Sequence, residues 1–255
     1  TVLEHLLIQH LTSFYDVGEH NHIRLRGADW NDGLDMAEKR GESVAFTALY
    51  GGNLRDLAKD IMTLSKKTGK DTISLAKEIE VLLNADKTVY DSIDEKHKVL
   101  NAYCNAVGHK VSGEKVSVDC TKLCNVLNEM SSWIAEHIRK TEWITNKEGN
   151  SWFNGYYDNH GRKVEYSAVP DEAGNNACAK NGVRMMLTGQ VFAIMSGTAT
   201  DQQIQAICKG TDAYLYDRNA GGYRLNTDFK EEKFDLGRMF GFAYGEKENG
   251  AVFSH

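Results

Sequence analysis

The chain has 255 residues, of which 41% are hydrophobic and 26% charged, a composition typical of a folded globular protein rather than a disordered one. Its 36 acidic and 30 basic residues give a net charge of −6, which argues against nucleic acid or an anionic membrane surface as a partner. No apolar run approaches the ~20 residues that cross a bilayer, and the N-terminus lacks the pattern of a signal peptide. We therefore expect a soluble, cytoplasmic protein.

Apolar residues recur at helical spacing in seven segments, which predicts seven helices. In chain order, the segments are residues 2–15, 45–64, 73–83, 90–107, 123–138, 185–195 and 204–216. Within the fourth segment, Lys96, His97 and Lys98 are predicted to form a solvated helix face. Almost no strand pattern accompanies these segments, and the chain has a single proline, Pro170. The sequence therefore predicts an all-α fold.

Two regions interrupt the helical pattern and are predicted to be loops. Residues 143–170 are rich in Trp, Tyr, Asn and Gly, and the chain after Asp217 is rich in Gly and aromatic residues. Loops on a helical scaffold commonly carry the binding surface. The aromatic residues of the first loop either extend a sugar-binding groove or pack in the core, and both interpretations stay open. These residues are Trp143, Trp152, Phe153, Tyr156 and Tyr157.

No repeat, low-complexity tract or Pro/Ser-rich linker divides the chain, so we interpret it as one unit. It begins inside an amphipathic pattern and ends in a polar loop. Both features are unusual for an independent domain. We expect residues 1–255 to be a portion of a larger domain.

Metal and nucleotide sites are not predicted. The five cysteines are odd in number and scattered, as is typical of a reducing compartment, and Cys120 and Cys124 lack further ligands nearby. His20 and His22 lack a third ligand and are interpreted as loop histidines. Residues 68–72 imitate part of a phosphate-binding loop but lack its first glycine and its preceding strand.

The densest polar cluster is residues 24–35, Arg-Leu-Arg-Gly-Ala-Asp-Trp-Asn-Asp-Gly-Leu-Asp. It places Trp30 beside the carboxylates of Asp29 and Asp32 and the amide of Asn31. An indole next to such groups suits a pyranose, which offers an apolar C–H face and a rim of hydroxyls. The alternative is a structural loop whose Asp and Asn side chains cap backbone amides.

This cluster carries a family resemblance. Residues 29–33, Asp-Trp-Asn-Asp-Gly, followed by residues 41–44, Gly-Glu-Ser-Val, resemble the signature of glycoside hydrolase family 94. The family includes the cellobiose, chitobiose, laminaribiose and β-1,2-oligoglucan phosphorylases. Residues 247–250 and 253–255 resemble its (Lys/Arg)-Glu-Asn-Gly-Gly-Gln-(Tyr)-Thr-His segment.

Two further segments, residues 190–197 and 217–221, are also similar to segments of the family. Residues 65–150 match it poorly and form a longer middle region than in the cellobiose enzymes. The resemblance thus extends from about His20 to His255, with a gap in its middle.

The resemblance implies that Asp32 is the catalytic general acid. A carboxyl group beside an apolar ring can be kept protonated, which suits this role. By the same resemblance, Trp30 lines the pocket for the sugar that becomes the phosphate ester, and Asp29 binds hydroxyls of that sugar.

At the far end, the resemblance places Lys247 and Glu248 against the leaving sugar and makes His255 a phosphate ligand. The chain departs from the family here, because residues 250–252 are Gly-Ala-Val instead of Gly-Gly-Gln. This difference removes an amide from the segment that the resemblance places near the leaving sugar.

The implied reaction is direct displacement with inversion, in which phosphate attacks the anomeric carbon while Asp32 protonates the departing oxygen. One carboxylate suffices because phosphate is already an anionic nucleophile. The expected partners are an oligosaccharide and inorganic phosphate as co-substrate, without an organic cofactor or metal. The family's phosphate-binding arginines have no matched counterpart. Arg24 and Arg26 are the nearest candidates, and a loop-anchoring role is the alternative for both.

The fold implied by the resemblance is an (α/α)6 barrel, of which residues 1–255 would form a portion with irregular aromatic and Gly-rich loops. Family enzymes add further domains and often form dimers, so the remainder of the same enzyme and a second copy are expected partners. Residues 190–197 and the long middle region favour a β-1,2-oligoglucan as substrate, with cellobiose or laminaribiose as the next choice.

Two other classes of function stay open. An inverting hydrolase would use Asp29 or Asp35 as the base that activates water. A fragment that binds sugar without turning it over would have no activity to lose in an Asp32→Asn variant.

Overall fold

The computed structural model describes residues 1–167 and 182–252. Within these residues the chain forms a mostly helical domain with seven α-helices. The helices are α1 (Val2–Tyr15), α2 (Val44–Thr68), α3 (Glu80–Leu83), α4 (Ile93–Val107), α5 (Cys120–Thr141), α6 (Leu187–Met195) and α7 (Asp201–Tyr214). Helical periodicity thus located six of them to within a few residues, and α1 has the predicted bounds.

Side-chain caps fix the ends of several helices. Thr1 and Glu4 form a capping box at the start of α1, and the Ser43 hydroxyl accepts a hydrogen bond from the Phe46 N–H at the start of α2. At its other end, α2 stops at Gly69, whose φ of 65° is left-handed. The imitation of a phosphate loop at residues 68–72 is therefore a helix terminus followed by a strand.

The core lies around α2, which packs against α5, α6 and α1. Buried aliphatic side chains from these helices fill it, among them Leu7, Leu54, Ile61, Leu127 and Ile134. A second buried cluster holds the region that contains residues 24–35, and Leu25 and Leu34 lie in it with Phe229 and Met239. The polar cluster identified in the sequence is thus anchored by apolar residues at intervals along it.

The prediction of a helix over residues 73–83 is wrong for its first half. Residues Thr72–Ala76 form strand β3, which pairs antiparallel with β4 (Lys115–Asp119), with Ile73 opposite Val118. A 3₁₀ turn (Lys77–Ile79) then leads into the four-residue α3. Alternation of Ile73 and Leu75 with polar residues matches the period of a strand, whereas the window that predicted the helix averaged over both halves.

The two predicted loop regions contain short strands. The first holds β5 (Trp143–Thr145), β6 (Ser151–Phe153) and β7 (Tyr156–Tyr157), while β8 (Tyr216–Asp217) and β9 (Gly222–Tyr223) form a hairpin after α7. Strand β7 also joins β1 (Ile23–Arg24) and β2 (Glu42–Ser43) in a three-stranded antiparallel sheet, in the order β1-β2-β7. The expectation of an all-α fold is corrected to a helical domain with small sheets.

The aromatic residues of the first region are core residues rather than groove residues. The exposed fractions of Trp152, Phe153, Tyr156 and Tyr157 are 0 to 3%, and Trp143 packs edge-on against Phe153 with 4.7 Å between ring centroids. Of the two interpretations left open, the structure confirms core packing. Within the described residues, no helix has the length and apolarity of a membrane span.

The predicted solvated face on α4 is wrong for two of its three residues. Lys96 is fully buried, with Nζ 2.8 Å from Asn21 Oδ1 and 4.0 Å from the ring centroids of both Phe14 and Trp133. His97 bonds through Nε2 to the Val17 carbonyl at 2.8 Å. Lys98 is exposed, as predicted. In sequence, Lys96 and Lys98 look equivalent, and nothing local shows that only Lys96 faces the core.

Candidate active site

Residues 25–41 connect β1 to β2 and are called the β1–β2 loop below. The two strands pair antiparallel, with Arg24 opposite Glu42, and the Leu25 N–H donates to the Gly41 carbonyl at 2.9 Å. The two ends of the loop are therefore hydrogen-bonded to each other at the edge of the sheet. The predicted acid, Asp32, lies near the middle of this loop.

Asp29 and Asn31 give the loop its internal structure. Asp29 accepts the Ser43 hydroxyl at 2.7 Å and the Asn31 N–H at 2.9 Å, and Asn31 Oδ1 accepts the Gly33 N–H at 2.9 Å. These are the backbone-capping contacts expected of Asp and Asn in a turn. Burial raises the pKa of the Asp29 carboxyl, although the Asn31 N–H and the hydroxyls of Ser43 and Tyr156 oppose the shift.

The tip of the loop rests on a segment near the other end of the chain. The Met239 N–H donates to the Gly33 carbonyl at 3.0 Å, and the Met36 N–H donates to the Leu236 carbonyl at 3.2 Å. Gly237 lies so close that a Cβ there would be 2.0 Å from the Gly33 oxygen. Residues 233–242, called the 233–242 segment below, thus form the support of the β1–β2 loop.

Asp32 and Trp30 remain on the outside of this arrangement. Asp32 is exposed, and no group within residues 1–167 and 182–252 donates a hydrogen bond to its carboxylate. The Trp30 side chain is 39% exposed. The capping contacts expected of a structural loop are therefore present at Asp29 and Asn31, while Asp32 and Trp30 face solvent.

The nearby arginines are held by acidic or carbonyl groups of the fold. Arg26 makes a two-pronged ion pair with Asp16 at 2.8 and 2.9 Å, and Arg24 donates weakly to the Lys39 carbonyl at 3.4 Å. Arg238, at the start of a 3₁₀ turn, donates from its backbone and its guanidinium to Asp35 at 3.1 and 2.8 Å. These contacts support the loop-anchoring alternative for Arg24 and Arg26.

Lys247 and Glu248 lie in a tight turn in which Glu246 and Asn249 bridge each other. Lys247 has a positive φ of 48° and is exposed, with Nζ 4.4 Å from the Phe242 ring centroid. Glu248 is half-buried. The Asn249 amide fixes the turn by donating to the Phe242 carbonyl at 2.8 Å.

The two sequence motifs therefore meet on one support. The β1–β2 loop contacts the 233–242 segment at Leu236, Gly237 and Met239, and the turn of Lys247 and Glu248 contacts it at Phe242. Of the predicted site residues, His255 lies outside the described residues. Residues 250–252, which differ from the family pattern, follow this turn, and the Ala251 carbonyl accepts the Leu225 N–H at 3.0 Å.

The other two segments with a family resemblance have structural roles. Gln190 of α6 is buried and exchanges hydrogen bonds with the Phe153 backbone at 2.7 and 2.8 Å. Asp217 closes the turn between β8 and β9 by accepting the N–H groups of Asn219 and Ala220, and it pairs with Arg224. Phe192 of the first segment lies in the same buried hydrophobic cluster as Leu25 and Leu34 of the β1–β2 loop.

Sequence reasoning missed the groups beneath Asp29. The Tyr156 hydroxyl is buried beside Asp29, and the same ring neighbours Glu165. Glu165 is fully buried and accepts the Met186 N–H at 2.9 Å, and burial raises its pKa well above the ordinary value. The Gly-Tyr-Tyr-Asp stretch that follows β6 is the sequence signal for this buried tyrosine, but its composition is typical of a loop.

A second set of buried ionisable groups lies away from the loop. This buried polar cluster consists of the buried residues Lys96, His22, Glu142 and Tyr157 and of the half-buried His137, whose ring lies against that of His22. Glu142 accepts His22 Nε2 at 3.1 Å and the Tyr157 hydroxyl at 2.9 Å. Burial would raise the pKa of Glu142, but the bond from His22 and the charges of His22 and Lys163 hold it below its ordinary range.

The two histidines of the His20-Asn21-His22 motif point to different partners. His20 Nδ1 lies 2.6 Å from Glu42 Oε2, and His22 Nε2 contacts Glu142. Within the described parts of the chain, no three His, Cys, Asp or Glu side chains come together as metal ligands. Cys124 instead packs under α2, where its Sγ lies 3.2 Å from the Ala58 carbonyl.

The sequence model of a known family matches this chain. The family is described as the glycosyl hydrolase 94 superfamily, catalytic domain, and the match covers residues 120–255, which is more than half of the chain. The matched part contains the 233–242 segment and the turn of Lys247 and Glu248. The β1–β2 loop precedes it.

One curated relative extends the similarity to the whole chain. Solabiose phosphorylase of Paenibacillus borealis is 24% identical over 258 residues, and this alignment includes 100% of the present chain. The chain spans 24% of the length of that relative. The similarity therefore includes the β1–β2 loop, within an enzyme about four times as long.

Proposed function

Because this chain belongs to the glycosyl hydrolase 94 superfamily, we propose that it is part of a glycoside phosphorylase and that Asp32 is the general acid. The observation that carries the proposal is the exposed Asp32 carboxylate, two positions after the partly exposed Trp30. The neighbouring Asp29 and Asn31 are occupied with the backbone of the loop. Asp32 therefore stays available to a substrate.

In the proposed reaction, phosphate attacks the anomeric carbon and inverts its configuration. Asp32 gives its proton to the departing glycosidic oxygen, so the products are an α-sugar 1-phosphate and a shortened acceptor. A single carboxylate is sufficient because phosphate needs positive charge and donors to hold it rather than a base. Trp30 and Asp29 would bind the donor sugar, Lys247 and Glu248 the leaving sugar, and His255 the phosphate.

Asp29 suits sugar binding because its position is fixed before a substrate arrives. Two protein donors, the Ser43 hydroxyl and the Asn31 N–H, already orient its carboxylate. A carboxylate oriented in advance loses little conformational entropy on binding a hydroxyl. Lys247 is also restrained, because its ammonium group lies over the Phe242 ring. We therefore expect its side chain to move less than that of an unsupported lysine.

We further propose that residues 1–255 are a portion of an (α/α)6 barrel that is completed by the rest of the enzyme. The helical domain is compatible with this architecture. The chain spans only 24% of the length of its relative, which supports the proposal that the barrel includes further residues. The same proposal includes a homodimer and no organic cofactor, which the family resemblance implies, and a cytoplasmic location, which the composition favours.

For the substrate, we propose a β-linked gluco-oligosaccharide, with a β-1,2-oligoglucan as first choice and cellobiose or laminaribiose as second. The similarity to a solabiose phosphorylase adds solabiose as a donor to be tested. The motif in the β1–β2 loop is common to the family, so it does not separate these donors. Turnover of donors with different linkages separates them.

The test is release of sugar 1-phosphate from β-1,2-, β-1,3- and β-1,4-linked gluco-oligosaccharides and from solabiose, with and without phosphate. It compares the wild type, Asp32→Asn and Asp35→Asn in the protein at its natural length. We expect phosphate-dependent release that falls by about 10²- to 10⁴-fold in Asp32→Asn, as for loss of a general acid. Asp35→Asn should retain most of the activity, because asparagine keeps an oxygen that can accept the Arg238 N–H and so preserves this contact of the loop.

The result also separates the alternatives. Glucose release without phosphate that disappears in Asp35→Asn or in an Asp29→Asn variant would make the protein a hydrolase. Sugar binding without any turnover, unchanged in Asp32→Asn, would make this part of the chain a binding module. Either result would overturn the proposal.

A further inference from the structure

The chain after β7 makes a tight turn, residues 158–162, that lies next to the β1–β2 loop. The Asp158 N–H donates to the Arg162 carbonyl at 2.9 Å, and Asp158 Oδ1 accepts the N–H groups of His160 and Arg162 at 2.9 and 3.0 Å. Gly161 has a φ of 72°, which suits glycine at this point. The 158–162 turn is therefore fixed by its own buried carboxylate.

Asn159 joins this turn to both sides of the proposed site. Its Oδ1 accepts the N–H groups of Lys39 and Arg40 at 3.0 and 3.1 Å, at the point where the β1–β2 loop returns to the sheet. Its own N–H donates to the Asp235 carbonyl at 3.1 Å. One half-buried residue thus connects the end of the loop to the segment that supports the tip of the loop.

A buried ion pair fixes the same segment from below. Lys233 Nζ lies 2.8 Å from Asp158 Oδ2, and the exposed fractions of the two side chains are 5% and 1%. Burial opposes ionisation of Asp158, but the bond and the charge of Lys233 lower its pKa to about 2. The carboxylate is therefore ionised at neutral pH, and it holds the first residue of the 233–242 segment.

We propose that Asn159 and the Asp158–Lys233 pair are positioning residues that hold Asp32 at the correct distance from the glycosidic oxygen. The inference rests on the proposed role of Asp32. Asn159 fixes the C-terminal limb of the β1–β2 loop, while Lys233 fixes the segment under Gly33, one residue beyond Asp32. Neither residue needs to contact substrate, because each acts through the backbone that carries the acid.

The physical reason is the sensitivity of proton transfer to distance. A shift of about 1 Å in a reacting group can cost a rate factor of about 10². The Asp32 carboxylate has no hydrogen bond from the described residues to restrain it. Its position therefore depends on the backbone of the loop, and the loop is restrained at the contacts named above.

The experiment compares Asn159→Ala with Asn159→Asp in the protein at its natural length. Alanine removes the acceptor for Lys39 and Arg40, whereas aspartate keeps an oxygen at the same place. The matched control is Asn146→Ala, which removes another amide oxygen that accepts a backbone N–H, that of Asn150, in the β5–β6 turn. Each variant is measured for kcat and KM and for hydrogen exchange of the backbone amides of residues 27–41.

We expect Asn159→Ala to lower kcat by about tenfold, to change KM by less than about twofold and to speed exchange in the β1–β2 loop. Asn159→Asp should restore both kcat and protection, and Asn146→Ala should leave both at wild-type values. Unchanged kcat together with unchanged exchange in Asn159→Ala would overturn the proposal. So would an equal loss in Asn146→Ala, since it would indicate a general effect of stability.

The readout by exchange separates this inference from the proposed function. If the wild type releases no sugar 1-phosphate from any donor, the proposed function fails, and exchange alone decides the inference. Faster exchange of the loop in Asn159→Ala, reversed in Asn159→Asp, would then support the positioning role. Equal exchange in all variants would overturn it.

Discussion

The β1–β2 loop and the buried polar cluster contain similar side chains in opposite environments. In the loop, Asp29 and Asn31 bond to neighbouring backbone, and Asp32 stays exposed. In the cluster, Glu142 and His22 are fully buried and bond to each other across 120 residues of sequence. The loop forms its turns through local contacts and rests on the 233–242 segment, whereas the cluster joins side chains that are distant in sequence.

This difference separates the two regions by purpose. A protonated carboxyl group that must give its proton to a ligand has to be reachable, so its removal should affect chemistry more than folding. A buried carboxylate that accepts several bonds keeps its neighbours satisfied, so its removal should affect folding.

The strongest test is removal of the buried carboxylate. Glu142→Ala leaves His22, Tyr157 and the Asn154 amide without their shared acceptor. We expect it to lower the free energy of unfolding by about 3–5 kcal/mol, as when one partner of a buried pair is removed. Asp32→Asn, the matched exposed change, should cost less than about 0.5 kcal/mol. Urea unfolding of both variants gives the comparison, and equal costs would refute the division.

The support of the loop can be tested at one glycine. A Cβ at Gly237 would lie 2.0 Å from the Gly33 oxygen and 2.5 Å from the Leu34 Cα, and both atoms belong to the backbone. We expect Gly237→Ala to displace the loop, to cost about 1–3 kcal/mol of stability and to reduce turnover as well. This variant would affect chemistry and folding together, whereas Glu142→Ala should act mainly on folding and Asp32→Asn mainly on chemistry.

Gly27→Ala is the control for that change. A Cβ at Gly27 meets no atom within 4 Å, so the variant stays in the same loop without a clash. Its unfolding midpoint and its kcat should remain near the wild-type values. Loss of turnover in Gly27→Ala equal to that in Gly237→Ala would contradict a specific role for the 233–242 contact.

The sequence predicted the loop better than the cluster for a physical reason. Trp30 and Asp32 lie two positions apart in the chain, and the side chains of Asp29 and Asn31 cap the backbone around them, so the motif fixes its own turn. Six of the helices were predictable because each carries a long apolar stripe. The 73–83 segment was not, since a five-residue strand followed by a short helix gives no long period.

The cluster depends on residues that are distant in sequence. Glu142 lies at the end of α5, and His22 lies before β1, so no local pattern connects them. Lys96 was interpreted as solvated because lysines usually are. Its burial is set by Phe14, Trp133 and Asn21, which come from other elements of the fold.

Burial of an amine in the cluster should also change how stability depends on pH. Burial lowers the pKa of Lys96 to about 7, although the charge of Asp91 opposes the shift. Between this value and the ordinary value of 10.5, the unfolded chain binds a proton that the folded chain lacks. Lys96 therefore contributes a rise in stability with pH of up to about 1.4 kcal/mol per pH unit in that window.

His137 contributes a similar rise at lower pH. Burial and the nearby His22 lower its pKa from 6.5 to about 4, so the unfolded chain again binds more protons between these values. Lys96→Met should remove the rise above pH 7 and keep most of the rise between pH 4 and 6.5. Urea midpoints measured from pH 4 to 10 test this, with Lys98→Met as the exposed control. If the slope above pH 7 survives in Lys96→Met, the buried amine is not its source, and the buried polar cluster would then resemble the loop in tolerating the loss of a charge.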